Sequence, residues 1–114
     1  MYEFTYKKAS SVENATKQFG ESKEGKYMSG GMTLLPTLKM RLDRPSDVID
    51  LADISEMVGI EVTGESVTIH AMTPHAVVAA NEEVQKAIPA LAKLAGGIGD
   101  PMVRNRGTIG GSLA

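Results

Sequence analysis

Two short stretches of the chain combine paired glycines with hydroxyl side chains. The first reads SGGMTL, residues 29–34, and the second reads TIGGS, residues 108–112. Paired glycines leave consecutive backbone N–H groups uncovered. Such groups form concave sites for phosphate oxygens, to which Ser and Thr hydroxyls add further donors. A helix predicted directly after the first stretch would also direct its positive N-terminus at an anion. We therefore predict that these stretches, named the first and second glycine loops, hold a pyrophosphate from two sides.

Taken singly, each glycine loop is also compatible with an ordinary turn or helix cap. Neither loop has the GxGxxG or GxxxxGK[ST] spacing, which argues against a Rossmann or P-loop site. Arg104, Asn105 and Arg106 precede the second loop. Two guanidinium groups and an amide beside a glycine-rich turn favour recognition of an anion.

No set of side chains predicts a catalytic or metal site. His70 and His75 lack a third ligand at a suitable spacing, so zinc is not expected. His75 is interpreted as a partly buried histidine bonded to a nearby backbone group. A hydrolase acting through His75 would lack a nucleophile, because the chain has no cysteine and no GxSxG sequence. Four aspartates are interpreted as a solvated face: Asp43, Asp47, Asp50 and Asp53.

The composition limits the classes of partner. Twelve basic and fourteen acidic residues give a net charge of −2, without a basic stripe among aromatic residues, so no nucleic-acid partner is expected. No apolar run approaches the length of a membrane span, and residues 1–20 contain no signal core, so no membrane partner is expected. These features, with the absence of cysteine, predict a soluble, cytoplasmic protein.

The elements that precede the first glycine loop follow from local patterns. Alternation over residues 2–6 predicts a strand. Ser10 and Glu13 form a capping-box sequence ahead of a helix of about ten residues. The inward face of that helix is predicted to carry Val12, Ala15 and Phe19.

The first loop is predicted to join a strand over residues 26–29 to a helix that starts near Thr33. Pro36 is tolerated only in the first turn of such a helix. A third strand is predicted over residues 47–51.

The second half of the chain begins with a predicted helical turn over residues 54–57. Alternation on either side of residues 63–66 predicts a β-hairpin. Thr73 is predicted to cap a helix that begins at Pro74.

The amphipathic pattern of residues 82–94 predicts a helix, which Pro89 should kink or split and residues 95–97 should end. A final strand is predicted just before the second glycine loop. The order of elements predicts an α+β fold of two lobes, residues 1–52 and 53–114, with mixed or antiparallel sheets and flanking helices.

Four blocks of the sequence, in order, resemble one protein family. They are SGGMTLLPTLKMRL, RPSDVIDLADISEM, VTIHAMTPHAVV and DPMVRNRGTIGGSLA. They are similar to blocks of the FAD-binding subunit of molybdenum hydroxylases, such as the medium subunit of carbon monoxide dehydrogenase and the flavin part of xanthine dehydrogenase. The resemblance runs from the first strand to the last residue and implies the N-terminal part of a PCMH-type FAD-binding domain.

The resemblance implies that FAD lies extended between two lobes, with its pyrophosphate and ribityl portion held by the glycine loops. It implies binding and orientation as the task of this chain, because the flavin carries the redox chemistry. In the family, electrons pass from a molybdopterin-binding large subunit through an iron–sulfur small subunit to FAD and then to an acceptor. The residues implied to contact FAD are Ser29, Gly30, Gly31, Met32, Thr33, Leu34, Thr73, Thr108, Ile109, Gly110, Gly111 and Ser112.

Three residues depart from the family pattern, and each is expected to weaken FAD binding. Met32 replaces a common Thr or His, His70 replaces a usual Gly, and Ser112 replaces a usual Asn. The family also continues beyond the position of Ala114, so the chain is expected to be the N-terminal part of a flavin subunit. An unpaired edge of the predicted final strand would then favour a homo-oligomer, with strands exchanged between copies.

Two functions are predicted from these observations. The first is that of an FAD-binding, electron-transferring part of a molybdenum hydroxylase. The second is that of a binding or assembly module that keeps the fold but binds FAD weakly or not at all. The chain by itself is expected to be catalytically inactive in both cases.

Overall fold

The computed structural model describes all residues from Met1 to Ala114. Contacts between Cα atoms divide them into two units, Met1–Ser55 and Glu56–Ala114. Five strands and seven α-helices form these units, which confirms the predicted α+β class. None of the helices combines the length and the apolar character that crossing a membrane requires.

Three strands joined by two helices form the first unit: β1 Thr5–Lys8, α1 Val12–Glu21, β2 Gly25–Met28, α2 Leu34–Lys39 and β3 Asp47–Asp50. The strands make a parallel sheet in the order β1-β3-β2, and the central strand β3 is buried at every position. Strand β1 begins at Thr5 and not at Tyr2, because its partner β3 begins at Asp47, directly opposite Thr5.

The core of the first unit holds the helix that follows the first glycine loop. Met28, Leu38 and Val48 form a buried apolar cluster, against which Leu34 and Leu35 of α2 pack. Removal of these side chains from water therefore fixes α2, and with it the end of the loop, against the sheet.

Helix α1 begins one residue later than predicted. The hydroxyl of Ser11, and not that of Ser10, accepts a hydrogen bond from the Asn14 N–H at 3.0 Å. The Asn14 side chain in turn accepts from the Ser10 N–H at 3.1 Å. The reciprocal cap is thus built on Asn14 and not on Glu13.

The predicted inward face of α1 is wrong at two of its three positions. Ala15 is buried, but Val12 and Phe19 are 47% and 42% exposed. The Phe19 ring stacks on the Tyr27 ring of β2, with 4.7 Å between the centroids. Contact between two half-exposed rings at the surface takes the place of burial under the sheet.

Two strands and five helices form the second unit: β4 Ile60–Val62, β5 Val67–Ile69, α3 His75–Ala80, α4 Glu82–Ala87, α5 Pro89–Gly96, α6 Pro101–Arg106 and α7 Ile109–Leu113. Strands β4 and β5 pair antiparallel, which confirms the predicted hairpin. A buried cluster that includes Val78, Val84 and Ala95 joins α3, α4 and α5, and apolar side chains of the hairpin pack on it.

Pro89 divides the predicted amphipathic helix in two. Helix α4 ends before Ile88, whose φ and ψ of −137° and 72° are not helical, and α5 begins with Pro89 as its first residue. The cap predicted for α3 is wrong. Pro74 is the N-cap residue, and no side chain makes a capping bond there.

The predicted final strand is absent. Asp100 caps α6 by accepting a hydrogen bond from the Val103 N–H at 2.9 Å, and Thr108 caps α7. These cap residues start helices on both sides of Gly107. The strand-like pairing in this region is a single antiparallel bridge between Pro74 and Thr108. The argument for exchange of a final strand between copies therefore loses its basis.

Candidate functional site

The first glycine loop leaves the carboxyl end of the parallel sheet. Strand β2 ends at Met28, whose carbonyl accepts a hydrogen bond from the Leu51 N–H at 3.0 Å, and the loop follows directly. Ligands of open parallel sheets bind outside the carboxyl ends of the strands. The loop therefore lies where this architecture commonly carries a binding site.

Gly31 gives the first loop its shape. Its φ of +75° lies in the left-handed region, which glycine adopts without a steric penalty. A Cβ atom here would lie 3.1 Å from Leu35 Cδ1 and 3.3 Å from Met28 Sδ. Backbone angle and packing therefore both favour glycine. The Gly31 carbonyl accepts from the Leu35 N–H at 3.0 Å, which ties the loop to the first turn of α2.

The backbone amides of the first loop are available to a ligand. No backbone carbonyl of the chain accepts a hydrogen bond from the N–H groups of Gly30, Gly31, Met32 and Thr33. Thr33 precedes α2, but its hydroxyl makes no capping bond, and Met32 and Thr33 are both exposed. Successive unpaired amides beside such a hydroxyl can bind the oxygens of a phosphate. Since α2 has only six residues, the amides and not a long helix carry this property.

The two ends of the first loop are held by the fold. Ser29 is half-buried directly after β2. Leu34 packs against the buried cluster that contains Leu38 and Val48. The Leu34 side chain therefore anchors the loop to the core of the first unit.

The second glycine loop uses the amides of Ile109 and Gly110 inside the chain. The Ile109 N–H donates to the Thr73 carbonyl at 3.1 Å, and the Gly110 N–H donates to the Ala71 carbonyl at 2.8 Å. Both acceptors lie in the segment that precedes α3. The loop is thus bound to that segment through its backbone.

The next two amides of the second loop complete the cap of α7. The Gly111 N–H donates to the Thr108 hydroxyl at 3.1 Å, and the Ser112 N–H donates to the Thr108 carbonyl at 3.1 Å. A helix start leaves several N–H groups without intrahelical partners, and here they find them in the cap and in the neighbouring segment. The predicted row of uncovered amides is therefore wrong for this loop.

Gly110 is required by close packing against another backbone segment. A Cβ atom at this position would lie 2.6 Å from the Ala71 carbonyl oxygen and 2.7 Å from the Ala71 Cβ. Protein interiors do not accommodate contacts this short. The absence of a side chain at Gly110 therefore allows the second loop to pack directly against the backbone of Ala71.

His75 connects the start of α3 to α7. Its ring Nε2 lies 2.9 Å from the Ser112 hydroxyl, and its backbone N–H donates to the Gly107 carbonyl at 3.0 Å. The residue is only 5% exposed, and burial lowers the pKa of His75 from its ordinary value. Sequence reasoning missed the Ser112 partner, because the two residues are 37 positions apart and no local pattern links them.

Thr73 supports the second loop from inside the unit. Its hydroxyl accepts a hydrogen bond from the Gly59 N–H and donates to the Gly59 carbonyl, both at 3.0 Å. The side chain is fully buried, and the Thr73 carbonyl holds the Ile109 amide. A direct contact between Thr73 and a cofactor stays a prediction.

Arg104 is engaged within the chain. Its guanidinium donates to the carbonyls of Ile98 and Gly99, at 3.2 Å and 3.4 Å. The side chain thus holds the connection between α5 and α6, whereas Arg106 is exposed at the end of α6. Of the two arginines, Arg106 is therefore the more exposed.

Two of the aspartates predicted to be solvated are buried. Asp47 and Asp50 lie on the central strand β3, which accounts for the error. Lys7 Nζ lies 2.8 Å from Asp47, and this contact holds the pKa of Asp47 below its ordinary value. The Tyr6 hydroxyl donates to Asp50 at 2.5 Å, and this hydrogen bond raises the pKa of Tyr6.

Comparison with known proteins gives consistent matches over nearly the whole chain. A family model described as the FAD binding domain in molybdopterin dehydrogenase matches residues 2–114. The medium chain of carbon monoxide dehydrogenase from Hydrogenophaga pseudoflava is 41% identical over 112 residues, which cover 97% of this chain and 39% of that relative. The medium subunit of nicotine 6-hydroxylase from Paenarthrobacter nicotinovorans is 38% identical over 109 residues, which cover 96% and 38%.

A solved structure of the Hydrogenophaga pseudoflava carbon monoxide dehydrogenase has the same fold. It superposes with a TM-score of 0.94 at 40% identity and covers 98% of this chain and 39% of the solved one. The chain thus spans about two-fifths of the length of the relatives it matches.

Proposed function

Because this chain belongs to the family of FAD-binding domains of molybdopterin dehydrogenases, we propose that both of its glycine loops bind FAD. The first loop donates backbone N–H groups to the pyrophosphate. The second loop adds exposed groups on a rigid support. The residues proposed to contact or support FAD are Ser29, Gly30, Gly31, Met32, Thr33, Leu34, Thr73, Thr108, Ile109, Gly110, Gly111 and Ser112.

The amides of residues 30–33, which bond to no backbone carbonyl, are the observation that carries this proposal. A pyrophosphate is rich in acceptor oxygens, and backbone N–H groups without an intrachain partner are suitable donors for them. The left-handed backbone of Gly31 supports the same conclusion. It turns the chain at the end of the sheet without a side chain that would cover the amides.

The second loop is proposed to act through its surface and not through free amides. Gly111 and Ser112 are exposed at its outer side. A serine hydroxyl can donate one hydrogen bond and accept two, so Ser112 keeps capacity for a ligand beside its contact with His75. Thr108 caps the loop and Thr73 braces it, which keeps these groups in place before a ligand arrives.

In a longer assembly we propose that this chain positions FAD for electron transfer. FAD, when bound, would supply the redox chemistry, which in this arrangement is electron transfer between iron–sulfur clusters and an acceptor. The proposed partners are a molybdopterin-binding large subunit and an iron–sulfur small subunit. The names of the relatives support this arrangement, since they are medium chains or medium subunits of dehydrogenases and hydroxylases.

A second candidate function is that of an assembly module that keeps the fold but binds FAD weakly or not at all. The engaged amides of the second loop favour this candidate. His70 favours this candidate as well, because it places an imidazole ring where the family usually has Gly. The ring is held after β5, with its Nδ1 2.9 Å from the Glu56 carbonyl oxygen. Such a chain would contribute surface to the assembly without a flavin site.

Titration of the purified chain with FAD and with riboflavin separates the two functions. Riboflavin lacks the pyrophosphate, so it should bind at least about tenfold more weakly in calorimetry if amides of the first loop hold that group. We expect saturable FAD binding with a Kd on the order of tens of micromolar. Equal affinities would contradict pyrophosphate recognition, and no saturable binding of FAD would favour the assembly module.

Gly31→Ala tests the first loop, and Gly64→Ala is the matched control. A Cβ atom at Gly64, in the hairpin turn, would have nothing within 4 Å. We expect Gly31→Ala to weaken FAD binding at least about tenfold, because the strained turn moves the amides, and Gly64→Ala to leave it unchanged. Circular dichroism checks that both variants fold. A folded Gly31→Ala protein with normal FAD affinity would remove the first loop from the site.

A further inference from the structure

A basic and apolar patch covers the end of α2. The Tyr2 ring has the guanidinium carbon of Arg41 at 5.4 Å and that of Arg44 at 4.9 Å from its centroid. Neither guanidinium forms an ion pair with a carboxylate of the chain. Asp43 lies between the two arginines in sequence, but its carboxylate is paired with Lys26. The two positive charges of this patch therefore remain uncompensated.

Arg41 occupies a backbone position that normally belongs to glycine. The Leu42 N–H donates to the Thr37 carbonyl at 3.1 Å, and the Arg41 N–H donates to the Leu38 carbonyl at 3.0 Å. These two bonds define a Schellman motif, in which Arg41 takes the left-handed position with a φ of +57°. Glycine would adopt this angle without the steric cost that a Cβ atom brings. Helix termination alone therefore favours glycine here, and the arginine points to a task for its side chain.

Apolar side chains flank the two arginines. Met40 and Leu42 are 70% and 71% exposed. Tyrosine, arginine and methionine are enriched in protein–protein interfaces, and the residues that dominate binding are often Tyr and Arg. A phosphate ion would use the two charges but not the apolar side chains. An acidic polypeptide segment with an apolar residue would use both.

We propose that Tyr2, Met40, Arg41, Leu42 and Arg44 form a docking surface for an acidic segment of a protein partner. The carboxylates of that segment pair with the two guanidinium groups. The Tyr2 ring holds both groups in place by cation–π contact. An apolar side chain of the segment packs against Met40 and Leu42. This surface lies in the first unit and does not depend on FAD binding.

Proton–nitrogen NMR spectra of the full 114-residue chain provide the test. The probe is the synthetic peptide Glu-Leu-Glu-Glu-Leu-Glu, and its control is the same peptide with Gln in place of Glu. We expect saturable shifts of the amide signals of residues 40–44 with the acidic peptide alone. Arg41→Gly should weaken this binding at least about fivefold, while its melting temperature stays equal to or above that of the parent. Arg44→Gln should weaken binding in the same way.

Several results would overturn the docking surface. One is the absence of saturable shifts at millimolar peptide, and another is an equal response to the Gln peptide. Equal shifts with inorganic phosphate would show a simple anion site. If Arg41→Gly lowered the melting temperature and kept the peptide affinity, the arginine would serve the fold only. Self-association in sedimentation that Arg41→Gly abolishes would make a second copy of this chain the partner instead.

Discussion

At the residue scale, glycine serves two different purposes in the two loops. Gly31 adopts a φ of +75° in a turn whose amides bond to no backbone carbonyl. Gly110 makes room for the carbonyl of Ala71, which accepts a hydrogen bond from the Gly110 N–H. The first glycine therefore shapes a surface for a ligand, whereas the second joins two segments of the protein.

Gly110→Ala should destabilise the fold, with Gly64→Ala again as the control. The added Cβ would lie 2.6 Å from a backbone oxygen that cannot rotate away. We expect a loss of about 1–3 kcal/mol in the free energy of unfolding, the range typical of overpacking. Gly64→Ala should stay within about 0.5 kcal/mol of the parent. Urea titration followed by circular dichroism measures both values, and equal stability of the two variants would contradict the packing described for Gly110.

His75 should make the stability of the chain depend on pH. Burial lowers the pKa of His75 in the folded state, so the unfolded chain takes up the proton near pH 6.5 and the folded chain only at lower pH. Between these two values the unfolded state holds more protons, and the free energy of unfolding falls as the pH falls. The full stability is present above about pH 6.5.

Urea titrations of the parent and of His75→Gln between pH 7.5 and 5.0 check this expectation. The parent should lose more stability over this interval than the variant, which cannot take up the proton. His70 is present in both proteins, so it does not contribute to the difference between them. The pKa values of Asp43 and Asp47 are lowered by Lys26 and Lys7, and these groups act only below about pH 4. The same pH dependence in both proteins would show that His75 is not held neutral.

At the element scale, the sequence predicts those features that depend on neighbouring residues. The hairpin from β4 to β5 follows from apolar alternation on either side of a turn. The division between α4 and α5 follows from Pro89, which lacks an N–H and clashes with the preceding helical turn. Both are short-range effects, so distant parts of the chain change them little.

The prediction of a final strand is wrong because two helix-capping side chains determine the local structure more strongly than the apolar residues beside glycines do. Val103 and Ile109 beside glycines resemble a strand entering a turn, but Asp100 and Thr108 each accept a hydrogen bond from an N–H three residues later. These bonds satisfy helix starts, and α6 and α7 result. Both cap residues, Asp100 and Thr108, are visible in the sequence.

The second loop could not be predicted in the same way. The carbonyls that take up its amides belong to Ala71 and Thr73, and the hydroxyl of Ser112 meets His75. Ala71, Thr73 and His75 lie more than 30 positions before the loop in sequence and contact it only through the tertiary fold. A glycine pair seen alone therefore indicates an unusual backbone, but not whether its amides face a ligand or another part of the protein.

At the scale of the whole molecule, one ligand is proposed to engage loops that belong to different units. A ligand that binds only the folded state slows hydrogen exchange through unfolding by a factor of one plus its concentration over its Kd. At a hundred times the Kd this factor is about 100. If FAD binds both loops, exchange should therefore slow in both units, although each unit has its own core.

Hydrogen exchange read by mass spectrometry tests this coupling with and without FAD. Peptides that cover residues 29–34 and 108–112 should both exchange more slowly, by up to about 100-fold where exchange requires unfolding. Gly31→Ala should remove the protection from both peptides, because we propose that the same FAD molecule binds both loops. Protection confined to residues 29–34 would exclude the second loop from the site. Protection of residues 108–112 that survives Gly31→Ala would mean that the second loop binds FAD without the first.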